Sequence, residues 1–265
     1  MTDLVCEDLS MTFVNPSTGF EVEALKDINF TLKKGELLTV LGPSGCGKTT
    51  LLNMIAGFLR PTSGKASLGG RMIDAPGVER GMVFQQGALF EWLTVSKNVD
   101  FGLRMKKADP EKIKKLVEKW LDIVGLQGFG DTPTYQLSGG MQQRVALARC
   151  LVNDPSVILM DEPLGALDAL TREKMQSLIL TLWKETGKTI LFITHSVEEA
   201  LLLGERLFVM APRPGRIYKE YHLPFAERGL SESLRDIKQD VVFTEVREEI
   251  LTMIWDMEEE IMGRG

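Results

Sequence analysis

A glycine-rich segment carries the strongest chemical signal in this chain of 265 residues. It fits the pattern G-x-x-x-x-G-K-[ST] in full, and its residues are Gly42, Pro43, Ser44, Gly45, Cys46, Gly47, Lys48 and Thr49. Glycines let the backbone approach phosphate oxygens, and successive N–H groups at a helix start form an anion cradle. Lys48 can neutralise the β- and γ-oxygens, and the Thr49 hydroxyl can coordinate Mg²⁺. We therefore predict that residues 42–50, called the phosphate loop and including Thr50, bind the phosphates of a nucleotide.

Four further polar residues each follow a short apolar run, and they are Gln85, Asp161, Glu162 and His195. Ligands of open parallel sheets bind at the carboxyl ends of the strands. If these runs are neighbouring parallel strands, the four side chains converge with Lys48 on one edge. Taken singly, each has an ordinary alternative as a helix cap, a structural histidine or a loop residue. Their combination with the phosphate loop favours one site.

The chemistry of phosphoryl transfer, in which positioning and charge stabilisation dominate, suggests a role for each residue. Asp161 would hold Mg²⁺, directly or through water, and Glu162 is placed to polarise the attacking water. Gln85 can contact both the metal and the water. His195 can hydrogen-bond the γ-phosphate and sense its loss. The predicted metal ligands are thus Thr49, Gln85 and Asp161.

A second glycine-rich signal, residues 137–144, is called here the signature segment and reads LSGGMQQR. Ser138 is predicted to cap a helix, and Gly139 and Gly140 leave backbone N–H groups accessible. The segment is therefore a second predicted anion-binding helix terminus. One chain thus carries two phosphate cradles for one nucleotide.

Alternating helices and apolar strands must position these residues, which indicates an α/β fold with a mostly parallel sheet. Strands are predicted at residues 4–9, 22–32, 37–41, 81–84, 157–160, 189–194 and 206–210. Helices are predicted at residues 48–59, 139–152, 170–185 and 197–203.

Three regions are predicted from changes in this pattern. Residues 1–85 and 136–222 form the nucleotide-binding core, and residues 86–135 form a helical insert rich in Lys and Glu. Residues 223–265 form a helical tail whose apolar residues recur at helical spacing: Leu234, Ile237, Val241, Val246, Ile250, Ile254, Met257 and Ile261. We favour packing of this tail on the body over binding to a partner.

Taken in order along nearly the whole chain, these motifs resemble the nucleotide-binding subunit of an ATP-binding cassette (ABC) transporter. The resemblance implies a P-loop NTPase of the RecA-like ABC ATPase type, with an antiparallel β subdomain and the helical insert. It implies ATP and Mg²⁺ as cofactors. It also implies a head-to-tail homodimer, in which each ATP lies between the phosphate loop of one subunit and Ser138–Gly140 of the other.

Two further residues are carried over from the family. Asp168, in the run Gly165-Ala166-Leu167-Asp168, matches the loop that links the two sites across the dimer. Phe13 matches the aromatic that stacks on adenine, although it could be a core strand residue instead. Met141 departs from the family, whose signature more often has glutamine at that position.

The chain resembles importer subunits in particular, because it has one cassette and no apolar run of the ~18–20 residues that cross a bilayer. Such a subunit works with two separate transmembrane permease subunits and an extracytoplasmic solute-binding protein. Residues 75–81, 89–95, 213–217 and 236–249 resemble the nitrate, sulfonate and taurine group. We expect a peripheral protein on the cytoplasmic face of the inner or plasma membrane, since the sequence begins without a signal peptide.

Composition excludes other classes. The chain has 31 basic and 37 acidic residues, a net charge of −6, so nucleic acid is not an expected partner. Three scattered cysteines form no disulfide or metal pattern, which favours a reduced compartment. A soluble ABC ATPase outside transport usually has two cassettes or a long coiled coil. A GTPase is also disfavoured, because Asp74–Gly77 matches D-x-x-G but no N-K-x-D motif occurs.

Overall fold

The computed structural model of the protein describes residues 3–85 and 88–262, with side chains to residue 260. In chain order the strands and helices are β1 (Leu4–Val14), β2 (Glu21–Leu32), β3 (Leu37–Leu41), α1 (Lys48–Ala56), β4 (Ser63–Leu68), β5 (Arg71–Met72), β6 (Arg80–Val83), α2 (Val95–Val99), α3 (Phe101–Met105), α4 (Pro110–Ile123), α5 (Gly139–Leu151), β7 (Val157–Asp161), α6 (Ala169–Thr186), β8 (Thr189–Ile193), α7 (Val197–Leu203), β9 (Arg206–Ala211), β10 (Arg216–His222), α8 (Phe225–Arg228), α9 (Leu234–Ile237) and α10 (Val241–Met262). The mixture of helices and sheets confirms the predicted α/β fold.

The chain divides into two compact units. The first comprises Met1–Gly77 and Ile179–Gly265, and the second is Val78–Leu178. The predicted insert lies within the second unit, together with β6, α5 and β7, and its predicted start at residue 86 lies outside the described residues. The division into functional domains at residues 86 and 135 stays a prediction.

The first unit contains two sets of strands. An antiparallel sheet has the order β2-β1-β4-β5, and β3 lies between β8 and β9, parallel to both, with β10 antiparallel at the edge. All five residues of β3 and all five of β8 are buried, as expected for parallel strands covered on both faces. This burial fixes the strands that lead into the phosphate loop and into His195.

The second unit pairs β6 and β7 in parallel and packs helices around a separate core. Its helices α2, α4 and α5 contribute Val95, Val99, Leu121 and Val145 to one buried cluster. The helical character predicted for residues 86–135 is thus observed in α2, α3 and α4. The same core holds α5, which begins in the signature segment.

Several predicted boundaries were wrong. Helix α1 ends at Ala56 rather than residue 59, because the N–H of the left-handed Gly57 bonds back to the carbonyls of Asn53 and Met54. Strand β1 continues to Val14, since it pairs along its length with β2. Strands β4, β5 and β10 were not predicted, because few of their residues are buried and alternation is weak.

The tail packs on the first unit but not as one continuous stripe. Residues 238–240 separate α9 from α10, which changes the helical phase, so Val241 is 69% exposed while Phe243 is fully buried. Phe243 meets Phe225 edge-on with ring centroids 5.1 Å apart. The tail's Glu249 accepts hydrogen bonds from Tyr221 (2.9 Å) and Lys219 of β10. The side chain of Ile261, the last residue of the predicted stripe, lies outside the described residues.

Every helix within residues 3–85 and 88–262 is too short or too polar to cross the hydrocarbon core of a bilayer.

Candidate functional site

The phosphate loop joins β3 to α1, the strand–loop–helix context that its sequence requires. Gly47 caps α1 with φ +92°, a backbone conformation that favours glycine. A Cβ at Gly47 would lie 2.5 Å from Leu25 Cδ2 and 3.0 Å from the Ala24 carbonyl oxygen. The loop is therefore shaped by direct contact with β2 as well as by its own sequence.

A second glycine, Gly215, which precedes β10, packs against the phosphate loop. Its N–H donates to the Ala24 carbonyl (3.1 Å), and its own carbonyl accepts from Lys26 N–H (2.9 Å). A Cβ at Gly215 would lie 2.2 Å from the Cys46 carbonyl oxygen. The sequence does not predict this role, because Gly215 falls only within a stretch that resembles one group of importers and no local pattern links it to residue 46.

The Lys48 ammonium lies inside the loop rather than in solvent. The residue is 7% exposed, and Nζ donates to the carbonyls of Gly42 (2.7 Å) and Pro43 (3.1 Å) and contacts Cys46 Sγ (3.7 Å). No carboxylate of the described residues pairs with it. A buried charge satisfied only by neutral groups is costly, and an anion in the loop would lower that cost. The cradle thus fits phosphate.

The remaining loop residues differ in exposure. Gly42, Pro43 and Cys46 are buried, Thr50 is half-buried, and Ser44, Gly45 and Thr49 are exposed at the loop surface. Burial raises the pKa of the Cys46 thiol, and the neighbouring Lys48 charge partly opposes this. Cys46 therefore behaves as a small neutral core residue, as its position in the motif suggests.

His195 and Phe13 belong to the same unit as the phosphate loop. The register Val40↔Ile193 and a Thr194 N–H to Val40 carbonyl bond (3.1 Å) align the carboxyl ends of β3 and β8. The chain therefore leaves both strands at the same edge, toward the phosphate loop and toward His195, which is exposed. Phe13, in β1, is 42% exposed, so its side chain lies at the surface and not in the core.

The two predicted acidic residues mark the end of β7. Asp161 is the last residue of the strand, and both Asp161 and Glu162 are half-buried. Glu162 has φ +44°, the left-handed region, which costs a non-glycine residue about 1–3 kcal/mol. Its carbonyl accepts from Gly165 N–H (3.2 Å), which closes the turn after the strand. The turn thus holds this carboxylate on a strained backbone.

Gln85 lies at the same edge of the β6–β7 pair. Val83 is in register with Met160, so Gln85, which follows β6, and Asp161, which ends β7, lie at neighbouring strand ends. Gln143 of α5, 3% exposed, donates from Nε2 to the Phe84 carbonyl (3.1 Å) and holds the backbone just before Gln85. The sequence does not predict this supporting role, because Gln143 lies within the signature segment but no local pattern pairs it with residue 84.

The signature segment begins α5 as predicted. Ser138 is the N-cap, and its Oγ accepts from Met141 N–H (3.4 Å). Ser138 and Gly139 are exposed, and Gly140 is buried. Gly139 lines a cavity of about 480 Å³ that is also lined by Gln85, Gln142 and Gln143 among others. The second cradle therefore presents its first residues to solvent.

Asp168 stands at the start of α6 and is exposed. Its Oδ1 accepts from the N–H groups of Leu170 (3.1 Å) and Thr171 (3.0 Å). Hydrogen bonds from Thr171, its side chain foremost, and from the backbone hold the pKa of the Asp168 carboxyl below its usual range. The carboxylate is thus fixed and ionised at neutral pH.

Each unit contains one group of the predicted site residues. The first carries Phe13, residues 42–50 and His195, and the second carries Gln85, Asp161, Glu162, Ser138–Gly140 and Asp168. The convergence of both groups on one nucleotide stays a prediction.

Comparisons with known proteins give a consistent result. The profile of a family described as ABC transporter matches residues 25–165. The chain is 77% identical to the taurine import ATP-binding protein TauB of Pelagibacter ubique, over 100% of this chain and 99% of that protein. It is 48% identical to the protein of the same name from Escherichia coli O157:H7, over 89% and 92%. A solved dimeric ATP-binding cassette bound to ADP and Pi is 33% identical, with a TM-score of 0.73 over 83% of this chain and 98% of that one.

Proposed function

Because the chain belongs to the ABC transporter family, we propose that it binds and hydrolyses ATP to energise the import of taurine. One observation in the structure carries the nucleotide site: the buried Lys48 ammonium contacts loop carbonyls and has no carboxylate partner among the described residues. The full-length similarity to taurine import ATP-binding proteins supports the substrate.

Nucleotide binding is assigned to the first unit. The backbone N–H groups of residues 42–50 would surround the phosphates, and Lys48 would move from the loop carbonyls to the β- and γ-oxygens. Phe13 would stack on adenine, which its 42% exposure allows. Thr49, exposed at the start of α1, would ligate Mg²⁺ through its hydroxyl.

Metal binding and hydrolysis also require the second unit. Asp161 and Gln85 carry the oxygen donors that Mg²⁺ prefers, and both lie at the carboxyl ends of the parallel strands β7 and β6. The ion would neutralise charge on the β- and γ-phosphates. Glu162 would accept a proton from the attacking water as its oxygen bonds to the γ-phosphorus, and the bond from the γ-phosphorus to the bridging oxygen would break, which releases ADP and inorganic phosphate. His195 would donate a hydrogen bond to the γ-phosphate.

A head-to-tail homodimer would complete each site. Ser138 and the N–H groups of Gly139 and Gly140 would bind the γ-phosphate held by the other subunit, and Asp168 would link the two sites. The exposure of Ser138, Gly139 and Asp168 supports this arrangement, because a trans contact needs accessible groups. Similar solved cassettes are dimeric.

In the proposed transporter the dimer is peripheral, on the cytoplasmic face of the membrane. It would work with two transmembrane permease subunits and receive the signal of an extracytoplasmic solute-binding protein indirectly.

Reconstitution of the complete transporter in proteoliposomes tests this function. We expect the taurine-loaded binding protein to stimulate ATP hydrolysis, and we expect a complex with Glu162→Gln to show no stimulation. Parallel assays with alkanesulfonates and nitrate test substrate choice. If alkanesulfonate, nitrate or an unrelated ligand stimulates ATP hydrolysis and taurine does not, the taurine assignment is overturned. If the wild-type complex hydrolyses no ATP, the ATPase assignment is overturned.

A further inference from the structure

The turn that carries His195 is closed by an unusual hydrogen-bonded arrangement. Ser196 caps α7, and its Oγ accepts from Glu199 N–H (3.4 Å). In an ordinary S-x-x-E capping box, the glutamate side chain would accept directly from the backbone N–H of the cap serine. Here the Thr194 hydroxyl lies between them: it accepts from Ser196 N–H (3.0 Å) and donates to Glu199 Oε2 (2.7 Å).

Both side chains of this arrangement are buried. Thr194 is 1% exposed and Glu199 is 3% exposed, whereas His195 between them is exposed. Burying a carboxylate costs free energy unless hydrogen bonds satisfy it, so the short bond from Thr194 stabilises a group that would otherwise destabilise the fold. A buried carboxylate here needs an explanation beyond helix capping, since an exposed glutamate caps equally well.

The bonds fix the backbone on both sides of His195. Before it, Thr194 N–H donates to the Val40 carbonyl of β3 (3.1 Å). After it, Ser196 N–H is held by the Thr194 hydroxyl, which Glu199 in turn orients. The His195 side chain therefore projects from a backbone segment whose neighbouring peptide groups are both held.

We propose that Glu199 is a positioning residue for His195 and acts through the Thr194 hydroxyl. This inference rests on the proposed function, in which His195 contacts the γ-phosphate. Loss of the arrangement would let the His195 backbone move while the phosphate loop stays intact. The turnover rate for ATP would fall and the KM for ATP would change little.

Variants of the full chain at residues 194, 195 and 199 test the proposal, each assayed in the reconstituted transporter. We expect Glu199→Ala and Thr194→Val to lower kcat by about 10–100-fold, by analogy with the loss of groups that orient metal-ligating side chains. Glu199→Gln, whose amide oxygen can still accept from Thr194, should recover most of the rate. In the His195→Ala background, Glu199→Ala should change kcat by less than about 2-fold, since coupled residues are not additive.

Thr39→Val is the matched control. Thr39 is fully buried, and its hydroxyl lies within hydrogen-bond distance of the Ala200 carbonyl of the same helix (2.9 Å) and the Arg206 carbonyl (3.3 Å), so its hydrogen bonds are separate from those of Thr194 and Glu199. We expect this variant to lower the melting temperature and leave kcat within about 2-fold of wild type. An equal loss of kcat in Thr39→Val, or the same loss from Glu199→Ala with and without His195, would overturn the proposal.

Hydrogen exchange gives a readout that does not depend on ATP hydrolysis. The Ser196 amide should exchange faster in Thr194→Val and Glu199→Ala than in wild type or Thr39→Val. Unchanged exchange would overturn the positioning role even if the transporter is active. If the wild-type complex hydrolyses no ATP while the exchange differences appear, the proposed function fails and the structural link remains.

Discussion

The two glycine-rich segments of the molecule are built in opposite ways. Leu25 and Gly215 pack against the phosphate loop, and the Lys48 ammonium within the loop is buried. In the signature segment, by contrast, Ser138 and Gly139 are exposed, as is Asp168, and the side chains of Ser138 and Asp168 accept hydrogen bonds from N–H groups at the start of their own helices. The first segment is completed within one chain, whereas the second presents groups outward. The contrast implies that substitutions in the phosphate loop reduce both folding stability and ATP binding, whereas substitutions at the exposed residues of the signature segment reduce dimerisation alone.

The largest effect is expected from Gly47→Ala. The added Cβ meets Leu25 and the Ala24 carbonyl, so the loop must shift, and a displacement of about 1 Å can lower activity about 100-fold. Isothermal titration should show ATP affinity reduced to that extent or more, and calorimetry a lower melting temperature. Gly45→Ala is the control for stability, because φ is +76° there but nothing lies within 4 Å of its Cβ. Equal melting temperatures for the two variants would remove the claim that contact shapes the loop.

Glu162→Gln should be nearly as severe but selective. Loss of the water-polarising carboxylate should slow hydrolysis at least ~100-fold, while ATP affinity stays within about 2-fold because the phosphate loop is intact. Phosphate release and nucleotide titration measure the two quantities. Glu118→Gln, at an exposed position of α4, is the control and should behave as wild type. Near-normal turnover in Glu162→Gln would contradict the role assigned to this residue.

Ser138→Arg should separate binding from association. Nucleotide affinity should be retained. In the Glu162→Gln background, in which we expect ATP to hold the two subunits together, the added Ser138→Arg should prevent dimerisation, because a bulky cation then occupies the surface that would face the other subunit's ATP. Sedimentation with ATP measures this. The control is Ser233→Arg, since Ser233 is another exposed N-cap serine, at α9. Both changes remove a cap worth about 1 kcal/mol, so a dimer lost in both variants would point to the cap and not to the segment.

Asp168→Asn should have the smallest effect. The lowered pKa of Asp168 means that its ionised form stabilises the fold above the unfolded-state pKa, and this contribution is lost as pH falls through the folded-state pKa. The amide oxygen that replaces the carboxylate could still accept from the two N–H groups, so the decrease in melting temperature should be small at pH 7. It should become smaller as the pH falls through the lowered folded-state pKa, because the wild-type carboxylate is then protonated. A decrease that grows as the pH is lowered would contradict the hydrogen-bonded carboxylate.

Much of this fold could be predicted because hydrophobic runs identify strands and their ends. Strand β3 and helix α7 begin and end where the sequence indicated, and Asp161 stands at a strand end as expected. The supports of the site could not be predicted. Gly215 packs against Cys46, although the two residues are far apart in the sequence. Gln143 of α5 donates a hydrogen bond to the carbonyl of Phe84, the residue before Gln85. Such contacts depend on tertiary packing, which no local pattern encodes.

The glutamate of α7 shows the same limit in a different form. Residues 196–199 read S-V-E-E, which fits the S-x-x-E spacing of a capping box. Only the structure shows that Glu199 is buried and that the Thr194 hydroxyl bridges it to the Ser196 N–H. The pattern predicts the cap but not its partner.

The support behind the phosphate loop also bears on what counts as a minimal protein. The region that matches the family profile, residues 25–165, contains the whole glycine-rich sequence. It excludes Gly215, and it excludes the Met210 carbonyl, which a Cβ at Gly42 would approach to 2.6 Å. A fragment cut at the limits of sequence similarity would therefore keep every motif residue of the loop and lose the surface that gives the loop its shape. The boundary that sequence comparison recognises is not a boundary at which this chain can be divided.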